Sequence, residues 1–243
     1  MSDNYEETFY SLGGQLISIM EVEEVIDLLG NPEQKLILDI GTGTGRIARH
    51  LLKSKNNVVG IDICSNRLKL ALKKANADLG LEADNYHLVV ADGHFLPFKT
   101  EAFDQIVSIR TLKYFKNPSL GFLEIARVLK KDGVCLVELS NCFGYESFWL
   151  FLLRLFRKKK YYARNMGFNY QLFNVFKVER SLMNLNLIIV SKKAWHKIPT
   201  LLFIGCSHIT LLKILLYAES LLQRILPSYL FSRGILIKFI RKQ

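Results

Sequence analysis

Three glycines alternate at Gly41, Gly43 and Gly45, close behind the apolar run Leu36-Ile37-Leu38. Such a run reads as a buried parallel strand. Arg46-Ile47-Ala48-Arg49-His50-Leu51-Leu52 follows and reads as the start of a helix. A strand that turns into a helix through glycines lets backbone N–H groups approach a ligand that a Cβ would push away. The next apolar run, Val58-Val59-Gly60-Ile61-Asp62, ends in a carboxylate, where a nucleotide-binding unit hydrogen-bonds a ribose.

The rest of the first half keeps the same alternation. Residues 5–30 read as one or two helices ended by Gly30 before Asn31-Pro32. Strands are expected at about 36–40, 58–62, 86–90, 103–109 and 134–139. Helices are expected at about 45–54, 67–78 (apolar at Leu68, Leu72 and Ala75) and 119–130, the last closed by the Lys131-Asp132-Gly133 turn. Strands alternating with helices imply an α/β fold with a parallel sheet covered on both faces. Ligands of such sheets sit at the carboxyl ends of the strands, where Asp39, Asp62, Asp92 and Ser108 all fall.

The glycine spacing narrows the ligand. A dinucleotide fingerprint needs a glycine at position 46, where this chain has Arg46. Asp39 at the strand end would repel a pyrophosphate. It suits a ligand with a ribose and a cationic amino-acid part, and S-adenosylmethionine (SAM) is such a ligand. A purely structural glycine turn remains the bland alternative.

The net charge of +11 is unevenly placed: residues 1–140 carry −3 and residues 141–243 carry +14. The first half therefore reads as an ordinary nucleotide-binding domain and the second as a region that meets an anionic surface. Cys64, Cys135, Cys142 and Cys206 have no metal-ligand spacing, so a reduced, cytoplasmic setting and no metal are expected. Residues 1–10 are acidic and polar and do not read as a signal peptide. No run of 18 apolar residues lacks a charge, so no transmembrane helix is expected.

Four motifs in order resemble the class I SAM-dependent methyltransferases, in particular the small-molecule branch that acts on lipid-like quinones and sterols. They are Leu38-Asp39-Ile40-Gly41-Thr42-Gly43-Thr44-Gly45, Gly60-Ile61-Asp62-Ile63-Cys64, Val90-Ala91-Asp92-Gly93-His94-Phe95-Leu96-Pro97-Phe98, and Phe103-Asp104-Gln105-Ile106-Val107-Ser108 with the segment Glu124 to Gly133. The resemblance covers about residues 35–140. It implies a Rossmann-like sheet of seven mostly parallel strands with helices on both faces, an antiparallel last strand and so an antiparallel edge.

On that resemblance the chain is a single domain. Residues 1–34 form N-terminal helices, with Tyr5, Phe9 and Tyr10 as a lid or as plain packing. Residues 35–141 form the cofactor-binding core. Residues 142–184 and 197–232 are helical elaborations on the acceptor side, and residues 185–196 and 233–243 hold the last two strands.

The resemblance also assigns roles. Gly41, Gly43 and Gly45 admit the methionine part of SAM, and Asp39 balances its ammonium. Asp62 takes both ribose hydroxyls, Asp92 takes the adenine amino group, and Ser108, Ile109 and Arg110 line the sulfonium side. Thr42, Ile63 and Gly93 complete the cofactor set, while Asp104 reads as the start of a strand. Tyr114 stands about where relatives often carry a His after the fourth strand, which puts a His base in doubt. Tyr114, His94 and His196 are the candidates for catalysis.

Methyl transfer from a sulfonium is an in-line displacement that depends mainly on alignment. The resemblance implies a small-molecule or lipid-like acceptor. Phe148 to Phe156, the Arg157 to Lys160 run and the Leu211 to Leu226 helix (polar stripe Lys213, Tyr217, Ser220, Arg224) read as a peripheral seat on an anionic membrane. Packing on the sheet with a solvated basic rim is the plain alternative. Nucleic acid stays open through the charge alone, without a recognisable RNA module. A non-catalytic SAM-binding or partner-binding protein of the same fold also stays open.

Overall fold

A computed structural model describes residues 11–79, 85–144, 171–195, 208–225 and 232–242. Helix α1 (Leu12–Leu29) opens on the Ser11 hydroxyl, which accepts from the Gly14 N–H at 3.0 Å. It closes at Gly30, whose φ of 87° lets Gly30 and Asn31 donate back to Asp27 and Ile26. Strands β1 (Leu36–Ile40), β2 (Asn57–Asp62), β3 (Tyr86–Val90), β4 (Phe103–Ser108) and β5 (Leu129–Ser140) alternate with α2 (Ala48–Lys53), α3 (Ser65–Leu79) and α4 (Pro118–Val128). Then come α5 (Val175–Met183), β6 (Leu187–Trp195), α6 (Ile209–Ile225) and β7 (Gly234–Arg241).

The seven strands form one sheet in the order β3-β2-β1-β4-β5-β7-β6. The pairings from β3 to β5 are parallel, while β7 runs antiparallel to both β5 and β6. The antiparallel last strand β7 is one position in and pairs with the edge strand β6, so the antiparallel edge expected from the sequence is present. The buried period-two pattern of β7 explains its inner position: Ile235, Ile237 and Phe239 enter one core and Leu236 the other. A strand apolar on both faces needs cover on both sides and two neighbours.

Each face of the sheet carries its own core. Val22, Val25 and Leu29 of α1, Leu51 of α2, and Ala71 and Ala75 of α3 pack on Ile37, Val58, Val107 and Leu136. Phe122, Ile125 and Val128 of α4, with Val178 and Leu182 of α5, pack on Leu38, Ile61, Ile106 and Val137. In α3 the buried side chains are Leu68, Ala71 and Ala75, whereas Leu72 is exposed, so small residues set that helix close to the sheet. Helix α2 starts at Ala48, later than expected, because Gly43 to Ile47 is still turn. The expected turn at residues 131–133 lies within β5, where Asp132 takes a φ of 59°. Helix α6 packs Leu212 on Ile17 of α1. Asp104 fastens the amino edge, its Oδ2 accepting from the Leu36 N–H at 2.9 Å and its Oδ1 from Lys130 at 2.7 Å.

Tyr5, Phe9, Tyr10, the Phe148 to Lys160 stretch, His196 and Leu226 lie outside the described residues. Among the described residues no helix is long and apolar enough to cross a membrane.

Candidate functional site

β1 pairs with β2 on one side and β4 on the other, so the chain order reverses between β1 and β4. That reversal opens a crevice at the carboxyl ends of the strands, and the glycine turn leaves β1 directly into it. Gly41, Gly43 and Gly45 have φ of 74°, 57° and 78°, the left-handed region that side chains rarely adopt. At Gly43 a Cβ would enter open space, its nearest neighbour being the Gly41 carbonyl at 4.0 Å. The turn is braced from below, where the Gly41 and Thr42 N–H groups both donate to the Ile61 carbonyl.

Two acids stand beneath and beside this turn. Asp39 is 3% exposed, and its Oδ2 has no hydrogen-bond partner among the described residues. Burial raises its pKa to about 6, against the lowering effects of a Thr42 hydrogen bond and the Arg46 charge. Thr42 in turn meets the Tyr86 hydroxyl at 3.1 Å. Burial holds the Tyr86 proton in place, and either hydroxyl can donate across this contact. Asp62 spans the opening of the loop: Oδ2 accepts from the Gly43 N–H at 3.2 Å and Oδ1 from the Cys64 N–H at 2.9 Å. A carboxylate oxygen has two lone pairs, so each keeps one for an outside hydroxyl.

Asp92 lies two residues beyond the end of β3, with a side chain 54% exposed. Its Oδ1 accepts from the His94 N–H at 2.9 Å and from the His94 ring Nδ1 at 2.6 Å. Burial pushes the Asp92 pKa up, but the two His94 hydrogen bonds outweigh it and the net shift is downward. The His94 Nε2 accepts from the Asn117 N–H at 3.3 Å. The imidazole proton is therefore on Nδ1, and both ring nitrogens are engaged. The ring also lies 4.4 Å from that of Phe115. His94 is accordingly a brace for Asp92, with no free nitrogen to take a proton from an acceptor. Gly93 is required by Phe115, whose ring a Cβ would meet at 2.4 Å. Ile63 and Phe95, each beside one of these acids, are largely exposed and offer apolar flanks for a flat ring.

Beyond β4, the buried Ser108 Oγ donates to the Ile40 carbonyl at 3.2 Å. Ile109 is buried in the core beneath α1. Arg110 has a φ of 58°, uncommon outside glycine, and its guanidinium is bound to Glu21 of α1. Glu21 also pairs with Arg46 at 2.8 Å, one residue past the glycine turn. Thus the Arg110 side chain serves as half of a clamp that holds α1 against both walls of the crevice. Tyr114 lies in the short 3-10 turn Leu112–Tyr114 that follows β4, partly exposed, with the Lys113 ammonium 5.5 Å from its ring centre. The crevice thus brings Asp39, Thr42, Asp62, Ser108 and the glycines together. His196 lies outside the described residues.

Two buried acids escaped the sequence reading. Glu21 looked like one more polar position in a helix. Glu138 is the lone charge in the otherwise apolar stretch Val134 to Leu139, and a single carboxylate in a buried strand was a legible signal.

The donor set fits SAM. An orphan carboxylate oxygen beside an open, Cβ-free loop suits an ammonium, and a loop-anchored acid beside it suits a ribose. Among the described residues no His, Cys, Asp and Glu cluster fits a metal. Residues 38–137 match the family model described as a methyltransferase domain. Over 130 residues the chain is 29% identical to a chloroplastic 2-methyl-6-phytyl-1,4-hydroquinone methyltransferase of Oryza sativa, covering 52% of this chain and 38% of that protein. Over 114 residues it is 32% identical to a demethylmenaquinone methyltransferase of Thermotoga maritima, covering 46% of each. The matched part spans less than half the length of these curated relatives. The crystal structure of a SAM-dependent methyltransferase of Thermotoga maritima superposes with a TM-score of 0.66 at 21% identity, covering 99% of this chain and 96% of that one. That likeness establishes the fold.

Proposed function

We propose that this chain, which carries a class I SAM-dependent methyltransferase domain at residues 38–137, moves a methyl group from SAM to a lipophilic, quinone-type small molecule. The observation that carries the donor half is the buried Asp39 Oδ2, without a partner among the described residues, beneath a loop opened by Gly43. SAM brings an electrophilic methyl on a sulfonium.

The protein's part is orientation. Ionised Asp39 holds the ammonium end, and the Gly43 to Gly45 backbone lies against the amino-acid portion. Asp62 accepts from the ribose hydroxyls while keeping its own grip on the loop. Asp92, oriented by His94, receives the adenine amino group between Ile63 and Phe95. The ends of β1 and β4, joined by the Ser108 to Ile40 hydrogen bond, form the floor under the reacting carbon.

The acceptor half rests on other support. Both characterised relatives above are named for quinone-type acceptors. The second half of the chain carries a net charge of +14. Helix α6 turns Leu211, Ile214, Tyr217 and Leu221 outward beside Lys213, apolar and basic together as at a membrane interface. On this reading the lipophilic substrate is met at an anionic lipid surface.

The test is incubation with methyl-labelled SAM and a lipid extract, followed by mass spectrometry of the products. A labelled prenylated quinol supports the reading. SAM binding without transfer to any lipid overturns its acceptor half, and tight NAD binding without SAM binding overturns all of it.

A further inference from the structure

Glu138 is 5% exposed, and its Oε2 has no hydrogen-bond partner among the described residues. A buried carboxylate without a compensating donor is costly and calls for a reason. Its position supplies one. Asp39, Val107 and Leu136 stand in register across β1, β4 and β5. Glu138 lies two residues further toward the carboxyl end of β5, on the same face as Leu136 and Asp39. Ser108 pairs with Val137, so Glu138 stands beside Ile109, at the end of the strand that floors the crevice. Two strand spacings separate it from β1, about 10 Å.

On its other side β7 makes room. Gly234 is the residue whose Cβ would come within 2.9 Å of the Glu138 Oε1. The acid is thus one strand beyond the sulfonium wall, on the face that α1 covers.

We infer that Glu138 is the acceptor-recognition residue: its carboxylate accepts a hydrogen bond from the hydroxyl of a phenolic, hydroquinone-type head group placed over β4 and β5. This rests on the proposed transfer to a lipophilic acceptor and adds the polar group by which that acceptor is oriented. Apolar surroundings suit the body of such a molecule, and one buried acceptor suits its hydroxyl.

Two measurements test it. The full chain is treated with dicyclohexylcarbodiimide, which enters apolar pockets and adds to carboxyl groups, and the labelled residue is mapped by mass spectrometry. Labelling at Glu138, suppressed by a short-chain prenylated 1,4-hydroquinone, is expected. A Glu138 that stays unlabelled is sealed in the core, and the inference falls whatever the acceptor proves to be. In parallel, Glu138→Gln and Glu138→Leu are compared with the parent for SAM binding, and for binding of that hydroquinone and of its dimethyl ether.

The expected result is unchanged SAM affinity, hydroquinone affinity weaker by about 10- to 100-fold, and ether binding unmoved. Equal loss for hydroquinone and ether, or no loss in either variant, overturns the inference. If the parent transfers no methyl to any quinol yet Glu138 is labelled, the functional reading fails while the site at Glu138 stands.

Discussion

At the β1–β4 crevice two of the three acids are tied to the backbone, Asp62 by the N–H groups of Gly43 and Cys64 and Asp92 by that of His94, while Asp39 is held by the Thr42 side chain. At the β5–β7 end the waiting acid, Glu138, has no such tie among the described residues and stands in a gap left by Gly234. The crevice is built for one ligand, because its donors and acceptors are set by strand ends and a turn of fixed geometry. At the other end Glu138 and Gly234 sit on the antiparallel pair β5 and β7, where a side chain and not a turn sets the acceptor. A fixed methyl donor and a variable acceptor call for this division of labour.

The largest effect should come from Asp62→Ala. It removes the anchor of Gly43 and, on the proposed function, the acceptor for the ribose hydroxyls, so SAM affinity should fall by at least about 100-fold. Isothermal titration calorimetry reads it, and hydroquinone binding in the same variant should barely move. Equal losses at both ends would break the contrast.

Gly43→Ala should follow, with a loss of about 10- to 50-fold in SAM affinity. A Cβ would occupy the ligand's space, and the φ of 57° strains any side chain.

Asp39 makes SAM binding depend on pH. Its folded pKa of about 6 lies above the ordinary 3.8, so it is protonated in acid and ionised at neutrality. Affinity for the ammonium-bearing ligand should weaken as pH falls through about 6, by up to about tenfold per unit. The sign for stability is opposite. A raised carboxyl pKa favours the fold below about 4, and that benefit is lost as pH rises through about 6, a cost near 3 kcal/mol at neutrality. Asp39→Asn should therefore raise the apo unfolding midpoint in urea at pH 7 while weakening SAM, and it should flatten both pH profiles.

At the acceptor end, Lys213→Glu should reduce co-sedimentation with anionic vesicles at low salt by about fivefold. Loss of SAM affinity in this variant would count against separate roles for the two regions. The smallest effect belongs to His94→Gln. Because both ring nitrogens are already engaged, kcat should fall by less than about threefold, with a modest rise in the KM for SAM. A collapse of kcat alone would make His94 a proton carrier after all.

Much of the crevice was legible without coordinates. Glycine positions, strand-end acids and the alternation of apolar runs are local properties, and each has one geometric use in a parallel sheet. Glu21 carries no sequence signal, since a carboxylate in a helix acquires meaning only from what packs against it, whereas Glu138 is legible as the lone charge in an apolar strand. Arg110 was read as part of the sulfonium wall. The clamp from Glu21 to Arg46 and Arg110 joins residues far apart in sequence, which no periodicity encodes. His94 is one of three catalytic candidates in the sequence, and only the fold shows Asp92, Asn117 and Phe115 around its ring.

The sequence by itself determined the α/β alternation, the glycine turn and the placing of Asp39 and Asp62 at strand ends, because backbone conformation and strand termination are written in neighbouring residues. Tertiary structure alone decided that β7 inserts antiparallel between β5 and β6, that Asp39 Oδ2 and Glu138 Oε2 have no hydrogen-bond partner among the described residues, and that α1 is held down by Glu21. Those facts depend on long-range pairing and burial, which set the cost of an unpartnered charge and so reveal where a ligand is expected.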